Sequence, residues 1–164
     1  ILKKFGLSVI TNNYQSFSSG NDRKIIEITV NDFSLTILPL ICYEIIYSGK
    51  IFKNPGFDLI VNISEDGWFG KSIGPKQHFA HSIFRAVESG KYLLRSANNG
   101  IAAIVNPVGI VEQKVEYGKS GYIDFKEAKK IQPTFFSKYG NKIFIILILL
   151  YIFIIFSFNR LKNE

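Results

Sequence analysis

No methionine occurs anywhere in the 164 residues, and the chain starts at Ile1. A complete translation product would carry an initiator, so the sequence reads as a fragment of a longer protein. Cysteine occurs once, at Cys42, which excludes an intramolecular disulfide framework and a multi-cysteine zinc site. That thiol is left as either packing or chemistry. Histidine occurs twice, at His78 and His81; a pair three apart shares a metal only with a third ligand, none presents itself, and no metal is expected. Acidic residues are in the minority, 13 against 20 basic, for a formal net charge of +7. Lys138, Lys142, Arg160 and Lys162 against Glu164 place +3 of that at the C-terminal end. The remainder has no lysine and arginine cluster interleaved with aromatics, so no nucleic-acid partner is expected. Internal repeats, low-complexity segments and an N-terminal charged-then-apolar signal segment are missing as well.

What the chain does have is apolar mass. Hydrophobic residues make up 47% and aromatics 15%, enough for a real core and against disorder. Ile143 to Phe158 forms sixteen consecutive residues without a charge, a helix of roughly 24 Å against about 30 Å of hydrocarbon. Every face of that run is apolar, unlike an amphipathic surface helix. Basic residues flank both ends, and long basic side chains snorkel to make up missing length. One transmembrane helix is therefore expected within 138–164, following a soluble domain over 1–137.

Ile1 to Asp22 is polar and turn-rich and reads as loop. Lys24 to Val30 and Phe33 to Cys42 are β-branched runs around Asn31-Asp32, the pattern of a hairpin, with Pro39 expected near a strand end or bulge. A short helix is expected over Glu44 to Phe52. Phe57 to Ile63 reads as a strand buried on both faces. Pro75 to Glu88 reads as a helix with Phe79, Ile83 and Val87 on its apolar face and Gly90 as its cap. Tyr92 to Ser96, Ile101 to Val105 and Ile110 to Val115 read as further strands. Strands alternating with helices imply an α/β layered domain.

Three places carry residues suited to chemistry. Cys42 ends a strand and is followed by Tyr43 and Glu44; at such a junction a thiol is presented beside free backbone N–H groups, which favour a thiolate and an oxyanion. Packing as a small core residue is the alternative. Ser64 to Gly70 follows the buried strand, where ligand loops gather, and its Trp68 and Phe69 either line a groove or plug the core. Gln77, His78, His81, Arg85 and Glu88 share the next helix, Arg85 and Glu88 as an ion pair.

Taken together, ICYE at Ile41 to Glu44, DGWFG at Asp66 to Gly70, GPKQH at Gly74 to His78, RAVESGKYLLRSANNGIAA at Arg85 to Ala103 and NPVG at Asn106 to Gly109 resemble the apolipoprotein N-acyltransferase family in order and spacing. The resemblance implies a nitrilase-like αββα sandwich, partial here, on the periplasmic side of the bacterial inner (cytoplasmic) membrane, followed by one C-terminal transmembrane helix. It implies that Cys42 is the nucleophile, that the Tyr43 N–H is an oxyanion donor and that Glu44 is a supporting carboxylate, with Trp68, Phe69, Gln77 and His78 at the substrate. The implied partners are a phospholipid acyl donor, the N-terminal diacylglyceryl-cysteine of an apolipoprotein, and the membrane; no cofactor is implied. The family's glutamate base and lysine stand upstream of the cysteine, and nothing in Ile1 to Cys42 matches either. Glu65 stands where the family has asparagine. The isolated chain is accordingly expected to be inactive, and the alternatives are a decayed membrane-anchored fragment or a membrane-tethered amidase of the nitrilase class.

Overall fold

The computed structural model describes Gly20 and residues 23–30, 33–49 and 56–162. The expected N-terminal loop, Gly20 apart, and the Asn31-Asp32 turn lie outside the described residues. Among those described, six strands form one mixed sheet in sequence order: β1 (Ile26–Val30), β2 (Phe33–Ile41), β3 (Leu59–Glu65), β4 (Tyr92–Asn98), β5 (Ala102–Val105) and β6 (Val111–Val115). The hairpin is there, β1 antiparallel to β2 with Val30 opposite Phe33. β2, β3 and β4 are parallel neighbours, and β4 to β6 run as an antiparallel meander. Pro39 sits inside β2 rather than at its end. The β1 register stops at Ile37, and the Thr36 backbone faces β3. Two-residue alternation therefore turns Pro39 away from β3 to a side past the β1 ladder, where no N–H is called for.

The parallel crossover from β3 to β4 is α1 (Gly74–Ser89), with Pro75 in its first turn and Gly90 closing it at φ +65. Helix and cap fall where the sequence puts them, but the buried face does not. Phe79 and Ala86 are in the core, whereas Val87 is partly exposed and Phe84 is 59% exposed. The side turned to the sheet also carries His78, Ser82, Arg85 and Ser89, all buried. These polar residues interrupt the apolar period, and each is buried because it has partners rather than because it is apolar. Gly90 has no freedom to change, since a Cβ there would stand 2.6 Å from the Ile131 carbonyl oxygen. Gly90→Ala should cost about 2 kcal/mol or more, read as a lower urea midpoint at unchanged slope, because the left-handed φ is unfavourable for alanine and backbone cannot step aside.

One face of the sheet packs Leu38, Leu40, Ile60 and Leu93 against Phe79 and Ala86 of α1. The other gathers Leu59, Tyr92 and Ile104 under Ile123 and Phe125 of the extended segment after β6. Past that cover Ile41 and Ile63 stand 69% and 60% exposed. The described chain thus supplies one β layer and one α layer of a layered α/β domain. Asp58, at the head of β3, accepts from the N–H and hydroxyl of Thr36 and pairs with Lys130 on the same segment. Desolvation opposes its ionisation, but Lys130 and Thr36 outweigh it and hold the carboxyl down to about 2.

The expected helix over Glu44 to Phe52 is instead a five-residue 3₁₀ turn, Cys42–Ile46, and 50–52 lie outside the described residues. At the other end α2 (Phe135–Tyr139) and α3 (Lys142–Lys162) meet at Gly140. α2 is fastened to the body: Thr134 donates through N–H and hydroxyl, each at 3.1 Å, to the Glu88 carbonyl. The Glu88 carboxylate accepts from the Gly49 N–H at 2.7 Å and pairs with Arg85 at 2.8 Å. The Arg85 and Glu88 pair is thus buried, not a solvated one. Among the described residues no helix is long and apolar enough to cross a membrane; the uncharged run between Lys142 and Arg160 is seventeen residues.

Candidate functional site

β2 delivers its chain end at Ile41, and Cys42 then turns the backbone at φ +48. For a residue with a Cβ that conformation costs on the order of 1–2 kcal/mol, so something must hold it. Two groups do. Asn62, fully buried on β3, donates through its side-chain amide to the carbonyls of Leu40 at 2.9 Å and Cys42 at 3.3 Å. Glu44 reaches back so that one carboxylate oxygen accepts from the Ile41 N–H at 2.8 Å, the other from Arg23 at 3.1 Å. The result is a sharp strand-to-turn elbow with the half-buried thiol at its apex. The Tyr43 N–H precedes the first bond of the 3₁₀ turn, so it has no partner within that turn. Five residues carry little macrodipole, and individual N–H groups are what the elbow offers an oxyanion.

Beneath the elbow lies a polar network that the sheet would not otherwise tolerate. Asp66, fully buried just past β3, pairs with Arg95 of β4 through both carboxylate oxygens, at 3.0 and 2.8 Å. His78 of α1 places Nδ1 2.8 Å from Asp66 Oδ1 and Nε2 3.3 Å from the Cys42 carbonyl. The carboxylate fixes the ring, with Nδ1–H taken as the donor to it. Arg95 also bonds the Asn62 side-chain carbonyl, so one guanidinium links the aspartate to the residue that braces the elbow. Burial opposes ionisation of Asp66, yet the Arg95 charge and the hydrogen bonds from His78, Arg95 and Ser64 prevail and hold its carboxyl below the usual carboxylate range. Ser64 completes the set: its Oγ lies 2.8 Å from Asp66 Oδ1 and 3.6 Å from Cys42 Sγ. Among the described residues it is the sulfur's hydrogen-bond partner.

Above the elbow the surface is aromatic. The Tyr43 ring is 5.2 Å from His78 and 6.4 Å from Phe69, and Phe69 is 5.6 Å from His78. Trp68, on the 3₁₀ turn Gly67–Phe69, is 88% exposed. It does not plug the core. Glu65 braces the same turn by accepting from the Gly67 N–H at 2.6 Å and from Asn98. The structure therefore brings Cys42, Tyr43, Glu44, Phe69 and His78 together, while Trp68 stands exposed next to Phe69 in the chain. Gln77 stays exposed on the first turn of α1. His81 turns to the Phe84 ring, away from His78's partners.

The sequence singles out neither Asn62 nor Arg95 as a member of a site, and Asp66 only as part of the Ser64 to Gly70 loop. Their signal is present: Asn62 and Ser64 alternate with apolar residues along β3, Asp66 follows just past its end, and Arg95 interrupts YLLRSAN. Alternation of that kind places Asn62 and Ser64 on the face that carries the elbow.

Comparison with known proteins agrees with this geometry. The carbon–nitrogen hydrolase family model matches residues 9–125. An apolipoprotein N-acyltransferase of Rickettsia bellii is 42% identical over 157 residues, 94% of this chain and 30% of that protein. The same enzyme of Wigglesworthia glossinidia brevipalpis is 40% identical over 143 residues, covering 86% and 27%. The chain thus spans less than a third of the length of these relatives. An amidase of Nesterenkonia sp. AN1, solved with acrylamide added at its active-site cysteine, is 18% identical over 62% of this chain and 42% of its own, at a TM-score of 0.45, too loose a likeness to argue from. A family match over most of the chain, with relatives such as these, makes this protein a member of the carbon–nitrogen hydrolase family, on its apolipoprotein N-acyltransferase branch.

Proposed function

We propose that this chain carries the nucleophile half of an N-acyltransferase site. Cys42 Sγ, as thiolate, attacks the ester carbonyl of a phospholipid acyl chain. The C–O bond breaks, the lysophospholipid leaves with a proton, and the acyl group stays on sulfur as a thioester. The α-amino group of a lipoprotein's diacylglyceryl-cysteine then attacks that carbonyl, the C–S bond breaks, and amide and free thiol result. Sulfur suits both halves, being nucleophilic and a good leaving group. The Tyr43 N–H is the oxyanion donor and Glu44 holds the elbow through the Ile41 N–H. The described residues present no carboxylate aimed at the sulfur, since Glu44 and Asp66 are engaged elsewhere. The general base and a lysine donor therefore come from chain outside them.

The observation that carries this reading is the half-buried thiol at φ +48, on an elbow braced by Asn62 and the buried Asp66 and Arg95 pair. An exposed tryptophan next in the chain to Phe69, whose ring neighbours Tyr43 and His78, suits a lipid chain better than a small amide. α3 extends the same logic. Its 21 residues reach about 31 Å at 1.5 Å each, with Lys142 and Arg160 bounding the uncharged run. We assign it to the membrane, with snorkelling flanks making up for a short apolar stretch. The division is 1–137 for the catalytic part and 138–164 for the anchor, in a bacterial inner membrane with the catalytic part periplasmic.

The test is acyl capture. The chain co-expressed with the preceding two thirds of the Rickettsia bellii relative, once shown to co-purify, should take label from a phospholipid with a radioactive acyl chain, and hydroxylamine should release it. A co-purified complex that takes no label contradicts the reading.

A further inference from the structure

We infer that Ser64 is a second residue acting on the sulfur, a hydroxyl that exchanges partners between Asp66 and Cys42 as the thiol ionises. The inference rests on reading Cys42 as the nucleophile. Ser64 is 6% exposed, and its one proton has two acceptors in reach, Asp66 Oδ1 at 2.8 Å and Cys42 Sγ at 3.6 Å. While sulfur holds its proton, the carboxylate is the better acceptor and takes the hydroxyl hydrogen; the serine oxygen then accepts from S–H. Once the thiol proton has left to water, the thiolate competes for the same hydrogen, and a small rotation about the serine Cβ–Oγ bond transfers it. Asp66 loses little, because His78 and both contacts from Arg95 remain. In the thioester the sulfur has neither proton nor charge, and the hydroxyl returns to Asp66. No heavy atom needs to move for the exchange.

The other charged and titratable groups around the sulfur stand farther from it or face other atoms. On its own turn, Glu44 is directed at the Ile41 N–H and Arg23, and the Tyr43 ring at Phe69 and His78. From α1, His78 addresses the Cys42 carbonyl, not the thiol. From β4, Arg95 is committed to Asp66 and Asn62. Ser64 on β3 is thus the group whose loss the sulfur should register most directly.

Because Cys42 is the chain's only cysteine, its chemistry can be followed without background. Alkylation by iodoacetamide, in which the thiolate forms an S–C bond and iodide leaves, is measured against pH in the 164-residue chain. In Ser64→Ala the midpoint of the profile should rise by about one pH unit, the size of a hydrogen bond to a charged acceptor, and Ser64→Thr should restore it. A Ser64→Ala midpoint that stays put, or a threonine that does not restore it, overturns the inference. If the alanine variant fails to unfold cooperatively, the infrared S–H stretch of the unaltered chain decides. A band at the frequency of a hydrogen-bonded thiol supports the inference, and one at the free-thiol frequency overturns it. Neither measurement needs acyl transfer, so failure here leaves the enzyme reading standing, and the two failures are told apart.

Discussion

Arg95→Met should cost about 3–5 kcal/mol of folding stability, the largest single loss expected at any position outside the apolar core. The side chain is nearly volume-matched, so the loss is not a cavity effect. What remains is an ionised Asp66 with no cation beside it in a site where both partners are fully buried. Asn62 also loses its partner, and with it a constraint on the elbow. Asp66→Asn should be similarly harmful, and the double variant should lose clearly less than the sum of the two, which a double-mutant cycle in urea would show. Purely additive losses would mean that the pair acts only as bulk.

Acid exposes the same arrangement. Asp66 and Asp58 both titrate below their ordinary range in the folded chain. The stability they contribute is therefore complete above the unfolded aspartate value, about 4. It is lost as pH falls through their folded values, for Asp58 about 2. In Arg95→Met the share due to Asp66 should vanish, so that variant should lose less stability on acidification than the parent.

Cys42→Ser should abolish acyl transfer, by on the order of a thousandfold or more, while leaving stability nearly unchanged. Cys42→Gly should be equally inactive yet at least as stable, because glycine takes φ +48 without cost. That pairing distinguishes strain kept for chemistry from strain that merely happens to be there. A glycine variant less stable than the serine one would show the thiol to be a packing residue after all.

Much of this was legible in the sequence, for local reasons. β1 and β2 announce themselves by β-branched runs around a two-residue turn, and α1 by Pro75 and Gly90. The elbow's position is legible from the apolar run that ends at Ile41. Its shape was not: the left-handed turn and the 3₁₀ geometry are imposed by Asn62 from a neighbouring strand and by Glu44 reaching backward. The buried face of α1 was missed for a related reason. Periodicity counts apolar residues, whereas His78, Ser82 and Ser89 are buried because Asp66, Arg95 and backbone carbonyls partner them, and Arg85 because it pairs with Glu88 through one nitrogen. Such a network consists of pairings far apart in sequence, and no window of a dozen residues contains them. The family resemblance located Cys42, Tyr43 and Glu44 but not the charge beneath them.

What Cys42 takes up is the most direct question. The co-purified complex is offered a phospholipid and a soluble short-chain amide together, and the peptide containing Cys42 is weighed by mass spectrometry. A mass increase equal to the phospholipid's long acyl chain, reversed by hydroxylamine, is the predicted result. An unmodified peptide, or one carrying the acyl group of the amide, would contradict the account.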